Sequence, residues 1–441
     1  MKNLFFFATF IVAACSWAIA QTKETNMMLD RFVRYAMVGS QSVEDQANQD
    51  SFPITEGQKE MAKLIYDELS AIQGVEVKIS SDYYVYARLK SSIQGKVPSI
   101  AFMAHLDIAA EVPGPNKGLK ISPKVHRNYN GGDILLGHNR VLSPDSVQGR
   151  ELRNYKGKTM VTSDGSTLLG GDDKAGCAII VSLFEQLAEG KYEHGDVYAI
   201  FSQNEEVGKA ASRLDLSYLG KVPDILIDID GDIPGEVSSE CFTAVNRTYT
   251  FHGNKFHSSN GFVSGYADAL TAAAYFIGQL PREIHPSFSQ GRQGYVHCFS
   301  FESVDGCDYQ LLFRIRYFDK SDSVIFARYL NDAERKTMQM YPRVGIELVN
   351  SFTQYDNIAY NMHPKAVEII ESAAERAGVK MKPTYLRAGT TSALMVAKGM
   401  PSGPCIFSGQ HNVHSLYEYA CIEELVELTN FCKQVVREIM R

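Results

Sequence analysis

No pair of cysteines in the 441 residues has the C-x-x-C spacing, and no tract of basic residues occurs anywhere. The first absence argues against a cysteine-held zinc site. The second, with a net charge of −7, argues against nucleic acid as a partner. Beyond residue 20 no apolar run approaches the ~20 residues that cross a bilayer, so no membrane span is expected. There is no internal repeat and no low-complexity stretch. Gly157-Lys158-Thr159 ends like a phosphate loop, but Leu152 stands where the loop needs its first glycine. Neither a G-x-S-x-G elbow nor an H-E-x-x-H helix is present, which disfavours serine hydrolases and single-zinc proteases of those types.

What remains is an ordinary globular composition, 45% hydrophobic and 22% charged, in a chain long enough for two or three domains. Residues 1–20 read as an export signal. Lys2 supplies a positive start, Leu4 to Ala14 an apolar run, and Ala18-Ile19-Ala20 a small-residue cleavage site before Gln21. This predicts a periplasmic or extracellular protein. A second reading takes Val12-Ala13-Ala14-Cys15 as a lipoprotein box with Cys15 acylated. Without Cys15 seven cysteines remain, an odd number spread over a long chain and not a disulfide framework.

Hydrophobic spacing alternates between strand and helix. Thr55 and Gln58 can close a capping box ahead of Met61, Leu64, Ile65, Leu69 and Ile72 at helical spacing. Val75–Ser80 and Tyr84–Leu89 read as strands. Ile100–Ala104, Val197–Ser202 and Ile225–Ile229 are short and almost wholly apolar, as in strands buried on both faces. Between them Cys177, Ile180, Val181, Phe184 and Leu187 mark one face of a helix. The fold class is therefore α/β with a mixed sheet. Alternating runs at Ala244–Phe251 and Leu311–Phe318, with helical patterns at Tyr266–Leu280 and Asp322–Met340, predict a smaller α+β unit. The expected organisation is a signal over 1–20, a catalytic domain over 21–241, an inserted domain over 242–353, and the rest of the catalytic domain over 354–441.

Four polar clusters follow the buried strands or open a helix: His105-Leu106-Asp107, Gly170-Gly171-Asp172-Asp173-Lys174-Ala175-Gly176, Glu205-Glu206 and Asp228-Ile229-Asp230-Gly231. Each alone has a bland explanation. His105 and Asp107 fit a capping histidine beside a surface aspartate, Glu205-Glu206 a solvated turn, and Asp172-Asp173 the positive end of a helix dipole. At successive strand ends together, these carboxylates repel one another unless a cation or proton intervenes. Ligands of open α/β sheets gather at the carboxyl ends of strands. One imidazole and several carboxylates without thiolates suit Zn²⁺, Co²⁺ or Mn²⁺.

Thr167-Leu168-Leu169-Gly170-Gly171-Asp172-Asp173-Lys174-Ala175-Gly176, Asn204-Glu205-Glu206-Val207-Gly208 and His105-Leu106-Asp107 together resemble the peptidase T family. This family belongs to the dinuclear zinc peptidases, with the aminoacylases and glutamate carboxypeptidases. Tyr129–Asp133, Leu142-Ser143-Pro144, Gly253–His257, Arg316–Asp319, Arg387–Thr390 and His414 continue the resemblance in the same order, from about Leu29 to the end. It implies tripeptide aminopeptidase activity with two divalent ions, His105 and Asp230 on one, Glu206 and His414 on the other, and Asp172 bridging. It implies that Asp107 orients His105, that Glu205 is the general base, and that His257 polarises the substrate carbonyl. Arg316, Arg387 and Asn254 would hold the substrate. Short peptides are the implied partner, and related enzymes suggest a homodimer through the inserted domain. A relative that deacylates amino acids or trims C-terminal residues, and a non-catalytic peptide-binding protein, are the competing readings. Some positions depart from the family: Thr391 replaces its aspartate in R-G-G-T-D, Ser258-Ser259 its proline turn after His257, and Ser415-Leu416-Tyr417 its small and basic residues after His414. An export signal departs from a usually cytoplasmic family.

Overall fold

The structure is a computed structural model and describes residues 22–43, 51–231, 234–255 and 257–441. The chain divides into two compact units. The first comprises residues up to Ser239, Met362–Thr384 and Lys398–Arg441; the second comprises Glu240–Asn361 and Tyr385–Ala397. Residues 385–397 thus cluster with the second unit, whereas the sequence pattern places all of 354–441 with the first.

The first unit is organised by an eight-stranded mixed sheet. Its order is Val75–Ile79, Val85–Leu89, Val197–Ser202, Ile100–His105, Ile225–Gly231, Cys405–Phe407, Glu236–Cys241 and Lys382–Leu386. Strands Val197–Ser202, Ile100–His105, Ile225–Gly231 and Cys405–Phe407 run parallel at its centre. All six residues of Ile100–His105 and of Val197–Ser202 are buried. A strand covered on both faces needs this continuous apolar run, and each aliphatic or Phe side chain so buried contributes about 1.5–3 kcal/mol. Helix Gly171–Ala188 supplies much of that cover, with Cys177, Ile180, Val181, Phe184 and Leu187 all buried. Helix Ile422–Glu438 and Ala366–Ala377 complete the same core through residues such as Leu425, Val435 and Ile370. Helix Glu56–Ser70 begins at the capping box read from the sequence: Thr55 Oγ1 accepts the Gln58 N–H, and Gln58 Oε1 accepts the Thr55 N–H at 2.9 Å.

A second, four-stranded antiparallel sheet in the same unit pairs Gln410–His411, Tyr419–Cys421, Met160–Thr162 and Lys124–His126. Its first two strands are the arms of a hairpin whose loop carries His414.

The second unit has a four-stranded antiparallel sheet, ordered Tyr295–Ser303, Tyr309–Tyr317, Thr243–His252 and Gly345–Tyr355. Helices Ala269–Gly278 and Lys320–Met340 give it a core of its own, including Tyr249, Phe276, Leu311, Phe313 and Leu330. The shorter of these helices starts later than its apolar pattern, because Asp268 accepts the Thr271 N–H and sets the N-cap there. Among the described residues the seven cysteines are free thiols and no helix is long and apolar enough to cross a membrane.

Candidate metal centre

Strand register brings together the three polar segments that follow the parallel strands, those of His105, Glu205–Glu206 and Asp230. His105 ends its strand opposite Ser202, and Met103 pairs with Asp228, so the three parallel strands finish side by side. Glu205 and Glu206 follow Ser202, and Asp230 lies two residues beyond Asp228. Asp172 and Asp173 sit where the chain enters its helix, joined by a cis peptide bond and still outside helical geometry.

The Asp172 carboxylate faces a histidine with each oxygen. Its Oδ1 lies 2.9 Å from His105 Nε2, and its Oδ2 lies 3.2 Å from His414 Nε2. Asp230 Oδ1 stands 3.6 Å from His105 Nε2, and Glu206 Oε2 stands 3.0 Å from His414 Nε2. Two groups result, His105–Asp172–Asp230 and Asp172–Glu206–His414, each with its donor atoms within 4.8 Å of one another. The groups share Asp172.

These residues fit a pair of divalent cations. The donors are imidazole nitrogens and carboxylate oxygens, the set that Zn²⁺, Co²⁺ and Mn²⁺ accept. Glu206 Oε1 is buried without a hydrogen-bond partner, an arrangement costly for a polar atom that has nothing to bind. Electrostatics carry the same message. Burial raises the Asp172 carboxyl, but hydrogen bonds from His105 and His414 outweigh this and hold it well below the usual range. Burial and the charge of Asp172 push Glu206 up to about 8, and push Asp230 upward as well. His414, bonded to Asp172 and Glu206, is pushed up to about 11. The cluster holds protons where cations would neutralise it directly.

Asp107 meets His105 chiefly through its main chain. His105 Nδ1 is nearest the main-chain carbonyl of Asp107, at 3.1 Å, with the carboxylate at 3.6 Å. That wholly buried carboxylate instead accepts the backbone N–H groups of Glu205 and Glu206, at 3.0 and 3.1 Å. It therefore fixes the turn bearing both glutamates. Asn204, with φ 58°, starts that turn, and its amide is locked by Gln58 Nε2 at 2.8 Å. Asp173 serves the backbone, accepting from His105 N–H at 3.2 Å and Gly176 N–H at 3.0 Å.

Sequence reasoning missed three contributors. Glu111 Oε1 lies 2.7 Å from His414 Nδ1 and so orients that ring from the side away from Asp172. Gln410 Nε2 reaches Asp230 Oδ1 at 3.5 Å. Glu418, wholly buried, accepts three backbone N–H groups around Asp172. Nothing local in the sequence marks Glu111, but Glu418 and Gln410 flank the same hairpin loop as His414.

The other predicted residues belong to the second unit. His257 is exposed, with Nδ1 2.7 Å from Ser259 Oγ. Asn254 closes the loop around it, accepting the Ala267 N–H at 2.7 Å and donating to the Gly265 carbonyl at 3.3 Å. The Arg316 guanidinium lies against its own sheet, donating to the Ile315 carbonyl at 3.0 Å. Arg387 donates to the carbonyls of Gly291, Gln293 and Ser289 and to Ser289 Oγ, so it ties down residues 289–293.

Paired imidazole–carboxylate groups sharing one carboxylate, set at the ends of parallel strands, define a metal-dependent hydrolase. The model of peptidase family M20/M25/M40 matches residues 161–438. A peptidase T from Shouchella clausii is 36% identical over 407 residues, which cover 90% of this chain and 94% of that protein. The fold matches aminopeptidase PepT from Bacillus cereus with a TM-score of 0.69 at 18% identity, over 95% of this chain and 99% of that one. It also matches a dinuclear metal-binding M20 peptidase from Bacillus subtilis with a TM-score of 0.63 at 12% identity, over 95% and 99% of the two chains. The chain belongs to peptidase family M20/M25/M40, on its peptidase T branch.

This membership corrects the expected location. The export signal, the periplasmic or extracellular setting and the acylated Cys15 do not stand beside relatives that are intracellular peptidases T. Residues 1–20, on which all three rested, lie outside the described residues.

Proposed function

We propose that this protein is an aminopeptidase that removes the N-terminal residue of short peptides, tripeptides above all, using two divalent cations, Zn²⁺ first among them. The observation that carries the reading is the Asp172 carboxylate, with one oxygen toward each histidine and one further carboxylate beside each. In this reading His105 and Asp230 hold one cation, Glu206 and His414 the other, and Asp172 both. When bound, the pair supplies Lewis acidity at the scissile carbonyl and lowers the pKa of the attacking water.

The chain's own groups do the remaining work. Glu205 accepts the proton of the attacking water and passes it to the leaving amine, a role worth about 10²–10⁴-fold. Its backbone is held by Asp107, so the base cannot drift from the ligand next to it. Adjacency to Glu206 gives one turn two roles: Glu206, with its buried, unpaired oxygen, is the ligand, and Glu205 the base. His257, Asn254 and Arg316 on the second unit are the proposed substrate contacts, His257 at the carbonyl and Arg316 at a carboxylate. Arg387 joins them only through the loop it secures. The names of the relatives support an aminopeptidase over a deacylase or carboxypeptidase. The intact base and ligand set support an enzyme over a binding protein.

The test is metal content together with a tripeptide assay. Two equivalents of divalent metal and release of the N-terminal residue are expected. A fully loaded protein that releases only C-terminal residues, or hydrolyses only N-acyl amino acids, would refute the proposal.

A further inference from the structure

Asp172 has no helical ladder to hold it. Gly170 adopts φ 77°, and Asp172 and Asp173 have φ/ψ of −80°/105° and −117°/41°. The N–H groups of this stretch need partners from elsewhere, since a buried backbone donor left unpaired destabilises the fold. One side chain supplies them. Glu418 Oε2 accepts from Leu169 at 2.6 Å and Gly170 at 2.8 Å, and Oε1 accepts from Asp172 at 3.3 Å. Glycine at 171 lets the carboxylate come this close, because a Cβ there would sit 3.3 Å from Glu418 Oε1.

Glu418 also belongs to the hairpin that delivers His414. Gln410 pairs with Ala420 and His411 with Tyr419, leaving a loop from Asn412 to Glu418. The loop is braced internally: Asn412 Nδ2 donates to the Tyr417 carbonyl at 3.0 Å, and Ser415 Oγ to the Asn412 carbonyl at 2.6 Å. One rigid loop therefore meets Asp172 twice, His414 at its side chain and Glu418 at its backbone. We propose that Glu418 is the positioning residue of the shared carboxylate, holding the Leu169–Asp172 backbone so that Asp172 stands between His105 and His414. The inference rests on the reading of Asp172 as a shared ligand. A simple helix cap predicts less: it would stabilise the fold and leave cation affinity alone.

The experiment uses the full chain, stripped of metal and titrated with Zn²⁺ by calorimetry and with Co²⁺ by visible absorption. Glu418→Gln keeps size but replaces one accepting oxygen with a donor. Partners that orient metal ligands typically matter about 10–100-fold for affinity, so a loss in that range for at least one cation is expected, with altered Co²⁺ bands. Glu418→Asp, which retains charge but withdraws it by one methylene, should lose affinity too. Val435→Ala, a cavity in the same core, should unfold more easily yet bind both cations as the parent does. Parental affinity and Co²⁺ spectrum in Glu418→Gln would overturn the proposal. So would failure of both Glu418 variants to fold, which assigns the residue to the fold alone. A parent chain that binds no divalent cation would instead overturn the metal reading beneath it.

Discussion

The two units place their charged groups in opposite ways. In the first, His105 and Asp172 are buried and Asp230 and Glu206 partly so, close beside an exposed His414, and one Glu206 oxygen has no partner. In the second, the corresponding side chains are already occupied. Arg387 is taken up by a loop, Asn254 closes another, and Arg316 lies on backbone carbonyls. The first arrangement is incomplete without cations. The second is a scaffold whose polar residues shape loops before any ligand arrives. Variants in the first unit should therefore change chemistry or metal content, and variants in the second should change stability and substrate affinity.

Glu205→Gln is the sharpest way to break this contrast. It should keep both metals and lose turnover by about 10²-fold or more, since the amide cannot take a proton. Near-normal turnover at full metal loading would remove the general base from the account. Asp107→Asn comes next, because the amide can accept on only one side and the Glu205–Glu206 turn loses an acceptor. Weakening of cation affinity by roughly 10-fold is expected, read by competition with a chelating dye. An unchanged affinity would mean the turn holds itself. In the second unit Arg387→Ala should lower unfolding stability by about 0.5–1.5 kcal/mol through lost hydrogen bonds to residues 289–293, with metal content unaltered. Denaturant unfolding and elemental analysis of one preparation check both halves.

The smallest effect is a pH dependence in the second unit. Asp308 and Glu347 lie 2.7 and 3.2 Å from His252 and raise its pKa above the usual 6.5. The charged ring thus favours the folded state. That stabilisation is fully present below pH 6.5 and is lost as pH rises through the raised value. The stability difference between the parent and His252→Asn should shrink across that rise. A difference that grows with pH would contradict the assignment.

Much of this contrast is legible in the residues. Ile100–Ala104 and Val197–Ser202 announce buried strands because continuous apolar runs have no other soluble use at that length. His105, Glu205 and Asp230 stand out because acidic residues or histidine directly follow such runs. Helix ends are less legible, as Asp268 shows by delaying a helix whose apolar pattern begins at Tyr266. Gly345–Tyr355 escapes notice altogether: most of its residues are exposed, so no burial imposes a period-2 pattern. The supporting residues are hidden for another reason. The grip of Glu418 on Leu169 spans 249 positions, and that of Asp107 on Glu205 spans 98. A single carboxylate in a sequence carries no sign of which distant backbone it will meet.

The central claim is that one carboxylate serves both halves of the metal centre. Metal content of purified Asp172→Ala, set against the parent by elemental analysis after dialysis, tests it most directly. The account predicts about two equivalents in the parent and loss from both sites in the variant, because each group keeps only two of its three donors. Two full equivalents retained by Asp172→Ala would contradict it.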